Sequence, residues 1–287
     1  WNLLGPLAPI IAKDLDLTPA EKGFMVAVPT LAGAVLRLVN GFLVDRIGQK
    51  VTGAIGQVIV IVGLGVAWHF GVDSLEGLIA VGVILGFAGA AFAVALPLAS
   101  RWYPPEHQGK AMGIAGMGNS GTVFAALFAP LLAKAFGWNN VLGFALIPLV
   151  IVFIAYMVLV KDSPHQPPAK TTSQYIASYF RMLGEGDAWW FMLFYGVTFG
   201  GFVGLSGSLP IWFTGELGMT PIHAGYATAA CVFAGSLVRP FGGALADRIG
   251  GIRTLSIVYM VAAVLLAAIS LAPISFVVMF PLFFAVM

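Results

Sequence analysis

Charge is what this sequence has least of. Asp, Glu, Lys and Arg together make up 9% of its 287 residues, against roughly 25% in a soluble domain. So little charge cannot cover a water-facing surface, which excludes a cytosolic enzyme and a disordered tail. Cysteine is nearly missing as well. The single Cys231 can form no intrachain disulfide, so a disulfide scaffold is excluded, and its place in an apolar run suits a small buried side chain. The net charge of +2 comes without any basic cluster, so nucleic acid is no partner. Histidines and acids also fail to gather inside the apolar runs. His69, His107, His165 and His223 lie near connectors and far apart, so no metal centre, cofactor site or acid–base enzyme is expected.

What is abundant is apolar sequence. Residues of the AVILMFWYC set make up 60% of the chain, and the mean hydropathy is +0.97. The apolar runs approach the roughly 20 residues that a helix needs to cross about 30 Å of hydrocarbon. They fall at 22–44, 51–70, 77–99, 111–133, 138–160, 188–213, 222–246 and 254–271, with partial runs at 1–13 and from 274 onward. The expectation is an all-α polytopic membrane protein in a lipid bilayer. Ten-residue alternation, the mark of a membrane β-barrel, is missing. The opening WNLLGPLAPIIA reads as the second half of a span and FVVMFPLFFAVM as an unfinished one, so a piece of a longer protein is expected.

Charge position sets the expected orientation. Arg46, Lys50, Arg101, Lys110, Lys161, Lys170, Arg181, Arg248 and Arg253 fall on one side, and Lys13, Lys22 and Lys134 on the other. The first side should be cytoplasmic, which places the chain in the cytoplasmic (inner) membrane with the linker 161–187 inside. That linker opens with a proline-rich turn segment. Its stretch 173–183 puts Tyr175, Ile176, Tyr179, Phe180 and Leu183 at helical spacing, which predicts a short interfacial helix.

An offset of 202 residues superposes the two sides of the linker without a gap. Leu15, Thr18, Pro19, Gly23, Gly33, Arg37 and Gly41 fall on Leu217, Thr220, Pro221, Gly225, Gly235, Arg239 and Gly243. The run Asp45, Arg46, Ile47, Gly48 falls on Asp247, Arg248, Ile249, Gly250. Six spans separate the copies, so both enter the membrane in the same sense, a transporter repeat plan. The expected organisation is a six-helix half at 1–160 with its first helix truncated, the linker 161–187, and the start of a second half at 188–287. That second half holds helices seven to nine and part of the tenth.

Arg37 and Arg239 lie deep within their spans at repeat-equivalent positions. An arginine at mid-membrane costs at least roughly 2.5–3.5 kcal/mol and turns to a bundle interior or a wet cavity. Glycines flank each at i−4 and i+4, where a helix or ligand can approach closely. All twelve carboxylates map to connectors or span ends, so none offsets the pair. Two guanidiniums at the junction of two halves make a site for an anion, which their parallel N–H donors match edge-on.

The pattern at Gly41, Asp45, Arg46, Gly48 and Lys50, echoed at Gly243, Asp247, Arg248 and Gly250, resembles the loop signature of the major facilitator superfamily. The glycine-rich fifth span, with Gly113, Gly116, Gly118, Asn119 and Gly121, looks like the signature of that superfamily's nitrate/nitrite porters. The segments YGVTFGGFVGLS, GFAGAAFAVALPLASRWYPPEHQG and TPAEKGFMVAVPTLAGAVLRLVNGFLVDRIG are similar to its seventh, fourth and second helices. The resemblance implies two six-helix halves and alternating access. It implies Arg37 and Arg239 as nitrate-binding arginines, Tyr195, Phe199 and Phe92 as aromatics around the anion, and Asn119 as the signature asparagine. Gly113, Gly116, Gly118, Gly121, Gly200 and Gly204 are the expected signature and gating glycines, and Gly41, Asp45, Arg46, Gly48, Asp247 and Arg248 bias the conformational equilibrium. The implied cargo is nitrate or nitrite, moved by a monomer. Exchange of one anion for another stands beside proton-coupled symport, and formate or another small carboxylate stays open as cargo.

Overall fold

A computed structural model describes residues 1–162 and 172–287, with only the backbone of Thr172. The linker residues 163–171, among them His165 and Lys170, lie outside the described residues. Among the described residues, eight helices are long and apolar enough to cross a membrane. They match the eight runs read from hydropathy and mostly extend past them, since polar ends continue a helix beyond the hydrocarbon. The chain runs through α1 (Leu4–Asp14), α2 (Pro19–Ile47), α3 (Gln49–Phe70), α4 (Leu75–Ala90), α5 (Phe92–Ser100), α6 (Gln108–Gly116), α7 (Gly121–Phe136) and α8 (Trp138–Leu159). After α9 (Thr172–Leu183) come α10 (Gly186–Tyr195), α11 (Gly201–Gly215), α12 (Pro221–Leu237), α13 (Arg239–Ile249), α14 (Gly251–Leu271) and α15 (Phe276–Val286). The pairs α4–α5, α6–α7, α10–α11 and α12–α13 each form one span. The helices build two bundles, the second less complete.

Local chemistry sets the boundaries. Thr18 and Glu21 form a reciprocal capping box at the start of α2, satisfying amides that a helix N-terminus leaves open. The repeat-equivalent Thr220 caps α12 through the His223 amide. Gly48 and Gly250 close the two repeat-related turns with φ of +87° and +94°, which side chains with a Cβ resist.

The two bundles meet along α1 and α11, and along α6–α7 and α12–α13. The Asn2 amide donates to the Ser206 carbonyl at 3.1 Å, and a Cβ on Gly5 would come within 3.0 Å of the Gly207 oxygen. At the far end of the second seam, Gly109 lies against Gly243 so closely that neither could carry a side chain.

The end of the molecule bearing Asp45 and Asp247 is a dense polar layer, and the two repeat-related aspartates act differently there. Asp45 pairs with Arg101 of its own bundle at 3.1 Å. Asp247 accepts from the Gly109 and Lys110 amides of the other bundle at 3.0 and 2.9 Å. It thereby neutralises the positive first turn of α6. The helix expected over 173–183 forms as α9. Its Tyr175 is buried, donates to the Asp45 carbonyl at 2.9 Å and packs its ring edge-on against Phe42. Ile176, Phe180 and Leu183 face outward. Burial and the nearby Asp45 carboxylate raise the Tyr179 phenol above its ordinary range, keeping it a neutral neighbour of Gly41.

Candidate functional site

Four spans are interrupted where the arginines lie. Pro240 has no N–H, so α12 and α13 part beside Arg239. Between α4 and α5 the Val94 amide bonds the Ala91 carbonyl, a tightened turn that releases the Ala90 carbonyl. Asn40 of α2 takes up that carbonyl at 3.2 Å, and Arg37 donates through Nη2 to the Gly89 carbonyl at 3.3 Å. Met117–Ser120 forms a 3₁₀ turn between α6 and α7, and Gly196–Gly200 a π-turn between α10 and α11. Unbroken runs were expected at all four places. Hydropathy is blind to these breaks, although Pro240 and the paired glycines mark two of them.

The π-turn carries Phe199 to the centre. The Arg37 guanidinium carbon lies 4.6 Å from its ring centroid and that of Arg239 lies 5.7 Å away. The two cations, one from each bundle, therefore share one ring and stand no more than about 10 Å apart. Tyr195 stacks on Phe199 at 5.1 Å with an interplanar angle of 17°, and its ring lies 6.0 Å from the Arg37 guanidinium. Phe92 from the first bundle meets Phe199 at 5.3 Å. Arg37, Arg239, Tyr195, Phe199 and Phe92 thus share one locality. Beneath them Val123, Ala126, Phe202, Val203, Ala229 and Val232 form an apolar floor.

Neither arginine has a carboxylate partner among the described residues, and Arg37 Nε is buried without a hydrogen bond there. A buried donor left open costs about 1–3 kcal/mol, so the group is poised for an acceptor. Asn119 is 2% exposed, with both its amide nitrogen and oxygen unpartnered among the described residues. It lies in the 3₁₀ turn, one helical turn from Gly116.

The glycines divide into two sets. A Cβ on Gly113 would fall 2.6 Å from the Arg239 carbonyl oxygen and 2.9 Å from Pro240 Cα, and one on Gly116 would reach Arg239 Cδ at 3.2 Å. These two admit α13 and the arginine side chain. At Gly118, Gly121, Gly200 and Gly204 no described atom comes within 4 Å of such a Cβ, so close crossing is not found there. Gly196, one turn before Gly200, is equally open. Gly33 packs against Gly86 and Gly89, and Gly235 against the Met287 backbone and Phe202.

One member of the locality had no expected role. Phe202 lies 4.5 Å from the Arg239 guanidinium carbon. Its i, i+3 relation to Phe199 and i, i+7 relation to Tyr195 was the available signal.

Repeat-related bundles of membrane-spanning helices, joined around a buried pair of cations at interrupted spans, define a polytopic carrier architecture. The model of the Major Facilitator Superfamily matches residues 1–287, and the chain belongs to that superfamily, a family of transporters and not of enzymes. The chain is 35% identical over 253 residues to a probable nitrate/nitrite transporter, NarK2, of Mycobacterium tuberculosis, covering 87% of this chain and 63% of that protein. It is 33% identical over 260 residues to a nitrite extrusion protein of Bacillus subtilis, covering 90% and 64%. With a probable nitrate transporter, NarT, of Staphylococcus epidermidis, identity is 28% over 283 residues, covering 98% and 70%. The chain thus spans slightly under two thirds of the length of the first two relatives.

Proposed function

We propose that the protein carries nitrate or nitrite across the cytoplasmic membrane by alternating access, as a monomer, with the linker on the cytoplasmic side. The carrying observation is that one guanidinium from each bundle meets at the Phe199 ring without a described carboxylate. An anion between them draws both bundles together, and Tyr195, Phe199 and Phe92 give a planar anion apolar surfaces to lie against. The names of the similar proteins favour nitrate and nitrite over formate or another carboxylate. Asp247, Arg248, Asp45, Arg46 and their glycines act on conformation and not on cargo.

The charge balance favours exchange. At no more than about 10 Å and an effective dielectric near 20, two unit charges repel by about 2 kcal/mol or more, and burial adds to this. A site emptied of its anion rearranges against that repulsion, whereas a loaded one does not. The complete protein in liposomes should therefore take up nitrate fastest when nitrite is inside, more slowly with chloride, and least with neither. Equal uptake into empty vesicles accompanied by proton entry would replace exchange with symport. Uptake of a carboxylate with indifference to nitrate would overturn the cargo.

Asn119 gives a second test. Leucine there has similar bulk and no polar atoms, so Asn119→Leu is expected to melt at the same temperature or higher. Nitrate affinity, measured by calorimetry, should fall by about tenfold for a lost bond to a charged group. A loss of stability with unchanged affinity would make the asparagine structural.

A further inference from the structure

Phe202 and Gly235 form a feature that anion binding by the arginines does not itself require. Phe202 lies on α11, is 5% exposed, and places its ring under the Arg239 guanidinium with 4.5 Å between centroid and central carbon. Gly235 on α12 lies beside the ring: a Cβ there would meet the Met287 carbonyl first and would also fall 3.0 Å from Phe202 Cε2. Gly235 and Arg239 are one helical turn apart, so the same face that lies beside the ring also carries the cation above it. The face of an aromatic ring is negative, and its attraction for a cation grows as water is excluded. Arg37 of the first bundle also has a ring beside it, that of Phe199 from the second bundle at 4.6 Å, and donates to the Gly89 carbonyl at 3.3 Å.

We propose that Phe202 is a positioning residue that serves as the counter-charge of Arg239 while the site is empty, so that its ring competes with the anion for that guanidinium. The proposal rests on the anion-carrier reading. The ring offsets part of the charge that the unloaded site must hold as it rearranges. It also braces the guanidinium from behind, leaving the edges with N–H donors free. When an anion neutralises Arg239, the ring's attraction loses most of its value, and the negative face repels the newcomer. A ring with a weaker face should therefore bind the anion more tightly and return empty more slowly. Phe202 thus sets a compromise between affinity and turnover.

The test replaces Phe202 in the complete protein with mono-, di-, tri- and pentafluorophenylalanine, which drain the ring face with little change of shape. Nitrate affinity should rise stepwise with fluorine number, reaching about three- to tenfold, the scale of one cation–ring contact. Uptake into nitrite-free vesicles should fall relative to nitrate–nitrite exchange. Phe202→Leu, with no ring, should move affinity in the same direction, and its melting temperature reports whether the fold survives. A purely space-filling role predicts a flat series. Normal nitrate binding by the unsubstituted protein with a flat or falling series overturns the proposal and leaves the carrier reading intact. Failure of the unsubstituted protein to bind either nitrate or nitrite overturns both.

Discussion

Nitrate uptake by the Arg37→Lys and Arg239→Lys proteins is expected to fall about a hundredfold or more, with both still folded and inserted. Lysine keeps the charge and much of the stem, so the electrostatics of insertion change little. What it loses is the planar fork that can present two donors to one oxyanion. Each guanidinium also has geometry that an ammonium cannot reproduce. Arg37 lies 4.6 Å from Phe199 while donating through Nη2 to the Gly89 carbonyl, and the Arg239 guanidinium carbon lies over the Phe202 ring at 4.5 Å. Loss of one hydrogen-bonded partner from a buried charge pair costs about 2–5 kcal/mol, which covers the expected fall. Affinity and initial rates of counterflow check it, with melting temperature as the control for folding. Wild-type rates in both lysine variants would remove the anion site from this locality.

The second large effect concerns closure at the end bearing Asp247. Gly113→Ala is expected to hold that end open and stop the cycle. The added Cβ would meet the Arg239 carbonyl oxygen at 2.6 Å and Pro240 Cα at 2.9 Å, both backbone and unable to rotate away. Overpacking of this kind costs about 1–3 kcal/mol, enough to shift a two-state equilibrium by about fivefold to a hundredfold towards the separated form. Alkylation reads the shift. Asn119→Cys in a Cys231→Ser background should be shielded, since Asn119 is 2% exposed and adjoins the same seam. Adding Gly113→Ala should speed its modification by a membrane-impermeant reagent applied from that side. Asp247→Asn weakens the same closure by removing the charge held against the Gly109 and Lys110 amides, and should give a smaller effect in the same direction. Unchanged labelling in both would mean that this seam does not open during transport.

Much of this was legible before any coordinates. Hydropathy located the spans because lipid imposes an unbroken apolar length on each helix. The repeat carried Arg37 onto Arg239, and their depth alone implied an interior-facing pair. The periodicity of 173–183 located α9, since an amphipathic helix separates an apolar stripe from a polar one. The repeat also carried Gly48 onto Gly250, and both close turns at positive φ.

Other features had no one-dimensional signal. Asp45 and Asp247 occupy identical motif positions, yet one pairs within its bundle and the other caps a helix of the opposite bundle. Motif identity cannot distinguish these outcomes, because the neighbours come from distant sequence. The glycines of the fifth span looked alike, but Gly113 and Gly116 meet Arg239 while Gly118 and Gly121 meet no described atom within 4 Å.

Composition, span length and the internal repeat therefore determined a two-bundle membrane protein with a buried pair of cations, because each of these is a property of the chain alone. Only the tertiary structure decided what stands beside those cations. The π-turn that brings Phe199 to both arginines, and the Phe202 ring beside Gly235 and under Arg239, depend on helices far apart in the chain closing on one another at side-chain distance.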